Sequence, residues 1–246
     1  SKHLGTDDNI LGWKNEKIIL SNDELLKNIQ NVQKKKVNGV KNFELTKYMD
    51  KNDINLTVEM ETGTGKTYAY INTILELNKR HNWTKFIIIV PSIAIREGVN
   101  SSFKDMEKHF EMKYGKKINY FIFDSKKDKD GNQSRNFAID DDINVMIINI
   151  QAINKFEKDK EDERKENFSK TTNNIYKINE NGMAPIGDIR RTNPIIIIDE
   201  PQSVEGRNKS NKGRQVIKNE LNSLFVIRYS ATNIDNPGWM IVTYNN

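Results

Sequence analysis

Residues 56–67 read Leu-Thr-Val-Glu-Met-Glu-Thr-Gly-Thr-Gly-Lys-Thr. The stretch combines a short strand-like run, a turn carrying two glycines, and a lysine and threonine that open a helix. Gly63 and Gly65 let the backbone turn tightly and point successive N–H groups inward, which makes a concavity for phosphate oxygens. The helix expected from Thr67 to Arg80, with Tyr68, Ile71, Ile74 and Leu75 on one face, adds the partial positive charge of its N-terminus. Lys66 supplies a mobile full charge, and the Thr67 hydroxyl can ligate Mg2+. Glu61, Thr62, Gly63, Thr64, Gly65, Lys66 and Thr67 are thus the candidate binding residues for ATP, with Mg2+ as its counter-ion. The general phosphate-loop pattern opens with a glycine where this chain has Met60.

Working outward, apolar runs alternate with helical patterns. Phe86–Val90 is continuously apolar and closed by Pro91, as expected of a strand buried on both faces. Further strands are expected at Ile118–Phe123, Val145–Ile150, Ile195–Ile198 and Leu224–Arg228, with helices at Val99–Lys113 and Gly213–Asn222. Apolar strands separated by helices imply a parallel sheet between helical layers. The fold class is therefore α/β, a RecA-like three-layer sandwich with a mostly parallel central sheet. In such sheets ligands sit at the carboxyl ends of the strands. That places the chemistry just after Met60, Val90, Ile198 and Arg228.

The strand Ile195–Ile198 runs into Asp199 and Glu200. Adjacent carboxylates at the end of an apolar strand are costly to desolvate alone. A bound Mg2+·ATP gives them a purpose. Thr67, Asp199 and Glu200 are the candidate metal residues; Glu200 and Lys66 are the candidate catalytic residues, Glu200 orienting and deprotonating the attacking water and Lys66 placing its charge on the β- and γ-phosphates. Ser230-Ala231-Thr232 follows the last strand and could sense the γ-phosphate.

The phosphate loop, the acidic pair and Ser-Ala-Thr, in this order, look like motifs I, II and III of superfamily 2 helicases. Met60–Thr67, Val90–Gly98, Asp199-Glu200-Pro201-Gln202 and Arg228–Thr232 resemble the restriction (Res) subunit of type III restriction-modification enzymes. Lys126 and the run Ile147–Lys155 are similar to that family as well. The resemblance covers about 56–232, and more weakly 18–55. It implies an ATP-driven motor acting on double-stranded DNA, a modification methyltransferase (Mod) partner, and a nuclease located elsewhere. It also implies that Gln202, Ser230, Ala231 and Thr232 couple the nucleotide site to other parts, and that Ser92, Arg96, Asn149 and Gln151 contact DNA. Gln30 or Gln33 is the candidate reader of the adenine edge. Asn233 stands where that family suggests a histidine. Two alternatives remain open at this point: the motor domain of another superfamily 2 DNA or RNA helicase, and a nucleotide-dependent DNA-binding module without turnover. Retention of both Lys66 and Glu200 speaks against the second.

The remaining sequence sets bounds. Without cysteine, neither a disulfide nor a thiolate metal site holds the chain together. The N-terminus lacks the apolar stretch of a signal peptide, and the longest apolar runs are too short to span a bilayer, so a cytoplasmic protein is expected. The net charge is +5, and the seven lysines between Lys27 and Lys51, against Glu44 and Asp50, account for all of it. These residues fall in a basic, helical lead-in (1–55) expected to pack on the motor domain (56–246). Lys155–Lys170 carries six basic and six acidic residues, so a polar surface excursion is expected over 157–193.

The sequence ends 14 residues after Thr232, without a second RecA-like domain or a nuclease constellation. An arginine finger from a second domain is worth about 10³–10⁵ in turnover. The isolated chain is therefore expected to bind Mg2+·ATP, to hydrolyse it only slowly and to leave DNA uncut. A steady-state ATPase assay with and without DNA checks this, and robust DNA-stimulated turnover would contradict it.

Overall fold

The computed structural model describes residues 2–4, 12–36, 45–61, 63–124, 128, 131–153, 174–178, 182, 184–205, 212–231 and 240–243. Strands β1 (Lys2–Leu4) and β2 (Gly12–Lys14) pair antiparallel, and α1 (Asn22–Lys36) follows. Then come β3 (Asn55–Glu59), α2 (Lys66–His81), β4 (Lys85–Val90), α3 (Ile93–Tyr114), β5 (Ile118–Ile122), α4 (Asn132–Ile139) and β6 (Ile143–Asn149). The chain continues through α5 (Ile150–Ile153), α6 (Pro185–Arg191), β7 (Ile195–Asp199), α7 (Pro201–Val204), α8 (Lys212–Leu221), β8 (Phe225–Ser230) and β9 (Met240–Thr243).

The last seven strands form one parallel sheet in the order β5-β6-β4-β7-β8-β3-β9. Because side chains alternate along a strand, the apolar runs supply two cores at once. Phe86, Ile88, Val90, Ile195 and Ile197 face the layer holding α1, α2 and α3. Ile87, Ile89, Ile196 and Ile198 face α4, α5, α6 and α8. This is the three-layer sandwich anticipated from the sequence, and β4, β7 and β8 are buried throughout. Among the described residues, no helix is long and apolar enough to cross a membrane.

Several expectations need correction. Helix α3 begins at Ile93 rather than Val99, because the Ser92 side chain caps it by accepting the Ile95 N–H at 3.3 Å. The expected face of α2 is rotated: Tyr70, Ile71, Ile74 and Leu75 are buried, whereas Tyr68 is 39% exposed. The polar excursion over 157–193 is not surface throughout. Ile175, Ile186 and Ile189 are buried in the second core, so the apolar positions around α6 return the chain to the sheet before β7. Residues 154–173 lie outside the described set.

The lead-in is held both by apolar packing, with Ile29, Met49 and Ile54 buried in the first core, and by hydrogen bonds. Asn15 is fully buried; its carboxamide accepts from the backbone of Thr84 and Lys85 and donates to the carbonyls of Lys85 and Asn193. Trp83 Nε1 donates to the Glu16 carbonyl at 3.1 Å. At the amino ends of the strands, the buried Lys85 ammonium donates to the Phe137 carbonyl at 2.6 Å and to that of Asp140, closing the last turn of α4.

Beneath the candidate site lies a second buried charge. Arg228 of β8 forks onto Glu205 at 2.7 and 2.8 Å and donates to Asn55 Oδ1 of β3 at 2.8 Å. Both charged side chains are 1% exposed. The pair ties the segment after β7 to both strands beside it. Removing one partner strands the other charge, which costs about 3–5 kcal/mol, whereas replacing both with apolar groups is often neutral. Glu205→Ala should therefore lower the urea midpoint sharply, and the pair Glu205→Leu/Arg228→Met should recover most of the loss. A single substitution that leaves the midpoint in place would show the pair to be dispensable.

Candidate functional site

The turn between β3 and α2 uses backbone that favours glycine. Gly63 has φ 81° and Gly65 φ 89°, the left-handed region in which an L side chain is strained. A Cβ at Gly63 would meet nothing within 4 Å, so the backbone there faces open space. Thr64, exposed, bends back on the turn, its N–H and hydroxyl both donating to the Glu61 carbonyl at 3.3 and 2.7 Å. Helix α2 then starts with no side-chain cap and no acidic residue in its first turn. Its N-terminal N–H groups and partial positive charge are left for a ligand, as an anion site requires. Glu61 is exposed, Thr67 half-buried, and Thr62 lies outside the described residues.

Sheet order brings the acids to this turn. Strand β8 lies between β3 and β7, with Glu59 opposite Ser230 and Asp199 opposite Tyr229. The turn after β3, the acids after β7 and the end of β8 therefore share one edge. Lys66 and Glu200, 134 positions apart in the chain, form an ion pair. Gln202 donates to the same carboxylate, and the Ser230 hydroxyl donates to Gln202 Oε1 at 3.3 Å. One polar chain thus runs Lys66–Glu200–Gln202–Ser230, with half-exposed Ala231 next in sequence. Thr232 lies outside the described residues.

Glu200 sits at φ 53°, a left-handed conformation for a non-glycine residue, which costs on the order of 1 kcal/mol. Its N–H donates to the Tyr229 carbonyl at 3.1 Å, and Pro201 follows as the first residue of α7. This bend turns the Glu200 side chain toward Lys66 while Asp199 stays in the strand. Asp199 is 7% exposed, and its Oδ1 has no hydrogen-bond partner among the described residues. A buried carboxylate oxygen without a donor is a rare and costly feature. It fits a divalent cation, for which oxygen ligands and a neighbouring hydroxyl such as Thr67 are the suitable donors.

The other candidates have defined neighbours. The Gln151 amide donates to the Pro91 carbonyl at 3.2 Å, tying the loop after β6 to the loop after β4. Ser92 is committed to capping α3. Arg96 is mostly buried, pairs with Glu97 at 3.1 Å, and keeps a buried Nε without a partner among the described residues. Asn149, half-buried, ends β6. The two glutamines considered for adenine are engaged elsewhere. Gln33, 2% exposed, exchanges hydrogen bonds with Thr46, and the Gln30 amide donates to the Thr46 carbonyl. Gln33 is thereby spent on fixing the 45–50 segment to α1. Lys126 and Asn233 lie outside the described residues.

The family model for "Type III restriction enzyme, res subunit" matches residues 22–235. The chain belongs to that family. The Res subunit of EcoP15I from Escherichia coli is 31% identical over 236 residues, covering 89% of this chain and 22% of that protein. The EcoPI Res subunit of Escherichia phage P1 is 30% identical over 238 residues, with the same 89% and 22% coverage. This Res-family chain therefore spans 22% of the length of those two relatives. A more distant likeness is the Sulfolobus solfataricus SWI2/SNF2 ATPase core in complex with dsDNA, at 14% identity and TM-score 0.45, covering 91% of this chain and 34% of that chain.

Two features of the Res-family site were not read from the sequence. The Arg228–Glu205 pair joins the first residue of the Arg228–Thr232 motif to a residue outside any motif. Tyr70 faces the core from α2 because it lies one turn beyond Thr67; the glycine turn sets the helical phase, and that spacing was the available signal.

Burial pushes the Asp199 carboxyl up to about 6, with the Glu200 charge adding to the rise and Lys66 opposing it. The folded state therefore holds this proton to higher pH than the unfolded chain, whose value is near 3.8. Stability contributed by the neutral carboxyl is complete below that value and is lost as pH rises through about 6. In metal-free buffer, Asp199→Asn should melt above the wild type at pH 7.5, and the gap should close on acidification to about pH 4. Equal melting temperatures at pH 7.5 would mean that the ionised carboxylate is not penalised by its surroundings.

Proposed function

We propose that this chain is the nucleotide-binding motor domain, the first RecA-like domain, of the restriction subunit of a type III restriction enzyme. Residues 56–246 form the motor and residues 1–55 the lead-in packed on it. The observation that carries the reading is the meeting of Lys66 with Glu200 beside an Asp199 whose Oδ1 lacks a donor among the described residues. Family membership gives that meeting its context.

In this reading Gly63–Thr67 wrap the phosphates of ATP with backbone N–H groups, and Lys66 leaves Glu200 for the β- and γ-phosphates. Thr67 and Asp199 hold Mg2+, which when bound would neutralise charge developing on the phosphate oxygens. Freed from Lys66, Glu200 orients the attacking water and takes its proton onto the carboxylate. Gln202, bonded both to Glu200 and to Ser230, passes the change at Glu200 to the end of β8, and Ser230, Ala231 and Thr232 pass it on. The loops bearing Ser92, Arg96, Asn149 and Gln151 lie along the same sheet edge, where strand-end loops suit contacts to a DNA backbone. Double-stranded DNA as track, a methyltransferase (Mod) subunit as partner, and cleavage by a nuclease outside this chain complete the proposal.

The test is Glu200→Gln in the full-length restriction subunit with its partner, followed in a single turnover. ATP should still bind in a Mg2+-dependent manner, while the chemical step slows by about 10²–10⁴, the usual contribution of a positioned base. An unchanged hydrolysis rate would remove Glu200 from the chemistry. Wild-type protein that binds no ATP would end the motor reading.

A further inference from the structure

Tyr70 is fully buried at the second turn of α2, three residues after Thr67 and on the same face. Its ring meets that of Tyr229 edge-on, with centroids 5.7 Å apart. Tyr229 stands opposite Asp199 in the register of β7 and β8, and alternation turns both toward the α2 layer. The phenol thereby faces the same layer as the Asp199 carboxylate, one helical turn beyond Thr67.

The two phenols of this aromatic pair differ in one respect. The Tyr229 hydroxyl is hydrogen-bonded to Thr73 Oγ1 at 2.8 Å. The Tyr70 hydroxyl makes no hydrogen bond of normal geometry among the described residues, and neither does Asp199 Oδ1. A buried donor without an acceptor and a buried acceptor without a donor thus face one layer of the fold. Buried polar groups are nearly always paired, so two such exceptions on one face mark a site whose partners come together in another state. Their fields already interact: after burial itself, the Asp199 charge is the largest influence raising the Tyr70 hydroxyl, while a side-chain hydrogen-bond contact from Thr67 to the phenol oxygen lowers it.

We propose that Tyr70 is a positioning residue for the cation-holding pair. When Mg2+ is held by Thr67 and Asp199, the Tyr70 hydroxyl donates to Asp199 Oδ1 and fixes the carboxylate's orientation. In the structure as it stands the two atoms are not bonded, and their pairing belongs to the cation-loaded state. The inference rests on the nucleotide reading above but concerns a residue that no step of that reading uses.

The test compares the wild type, Tyr70→Phe and Tyr229→Phe by binding of a fluorescent ADP analogue, in EDTA and in Mg2+, and by melting without ligand. Tyr70→Phe should bind the analogue in EDTA as the wild type does. The extra affinity conferred by Mg2+ should fall about tenfold, the worth of one hydrogen bond to a charged group. Its metal-free melting temperature should hold, since the proton it loses has no acceptor of normal geometry among the described residues. Tyr229→Phe should do the reverse, melting lower while keeping the full Mg2+ enhancement. Undiminished Mg2+ enhancement in Tyr70→Phe overturns the inference and leaves the motor reading intact. Loss of melting temperature and of EDTA affinity together overturns it too, by making the hydroxyl merely structural. A wild type that binds the analogue under neither condition overturns both.

Discussion

Two charges separated by more than half the chain length are brought together by strand order, and the rest of the molecule is organised around keeping them there. The Lys66–Glu200 contact needs a glycine turn on one strand, a left-handed bend on another, and a third strand between them to set the spacing. Each has its own cost: positive φ at Glu200, an uncapped helix start at Lys66, and a half-satisfied carboxylate at Asp199. Two fully buried apolar cores, one on each sheet face, offset those costs. At about 25 cal/mol per Å² of apolar surface removed from water, cores of this kind supply the dominant favourable term in folding. The site is thus strained locally and stable globally, as active sites commonly are.

Much of this was legible in the sequence because its strongest signals are local. A run such as Phe86–Val90 has a single physical solution in a chain of this type, a strand covered on both sides, and the structure places it there. The glycine turn and the Asp199-Glu200 step carry their chemistry in adjacent residues, so their place at strand ends follows from the run before them. What was not legible depends on phase and distance. Choosing Tyr68 over Tyr70 for the inner face of α2 is an error of about half a helical turn, enough to hide a buried phenol behind the phosphate loop. Gln33 looked like a ligand reader because an amide has the right chemistry; only the fold reveals Thr46 opposite it. Nothing local in Arg228 or Glu205 indicates that they share a pocket. The helix at Pro185–Arg191 was masked by its charged surroundings, although its isoleucines keep the spacing of an inward face.

The amino ends of the strands carry a different kind of chemistry. There Asn15 satisfies backbone groups from two segments, and Lys85 is buried as an ammonium whose burial pulls it down to about 8. These groups are saturated by carbonyls and amides of the chain itself. The contrast with the carboxyl ends is chemical: one edge of the sheet closes its polar groups internally, the other leaves several open. Structural and functional polar burial are thereby separated to opposite edges of one sheet.

The place of β8 has a mechanical meaning. Because it is hydrogen-bonded to β7 on one side and β3 on the other, the gap between phosphate loop and acids is a fixed gauge of two interstrand steps, about 10 Å. Arg228, riveted to Glu205 and Asn55 from that same strand, stiffens the gauge further. A jaw of this construction cannot widen or pinch by internal hinge motion without breaking ladder bonds. Any control over how long a triphosphate resides there has to be exerted on the rim, by whatever leans against the ends of the strands.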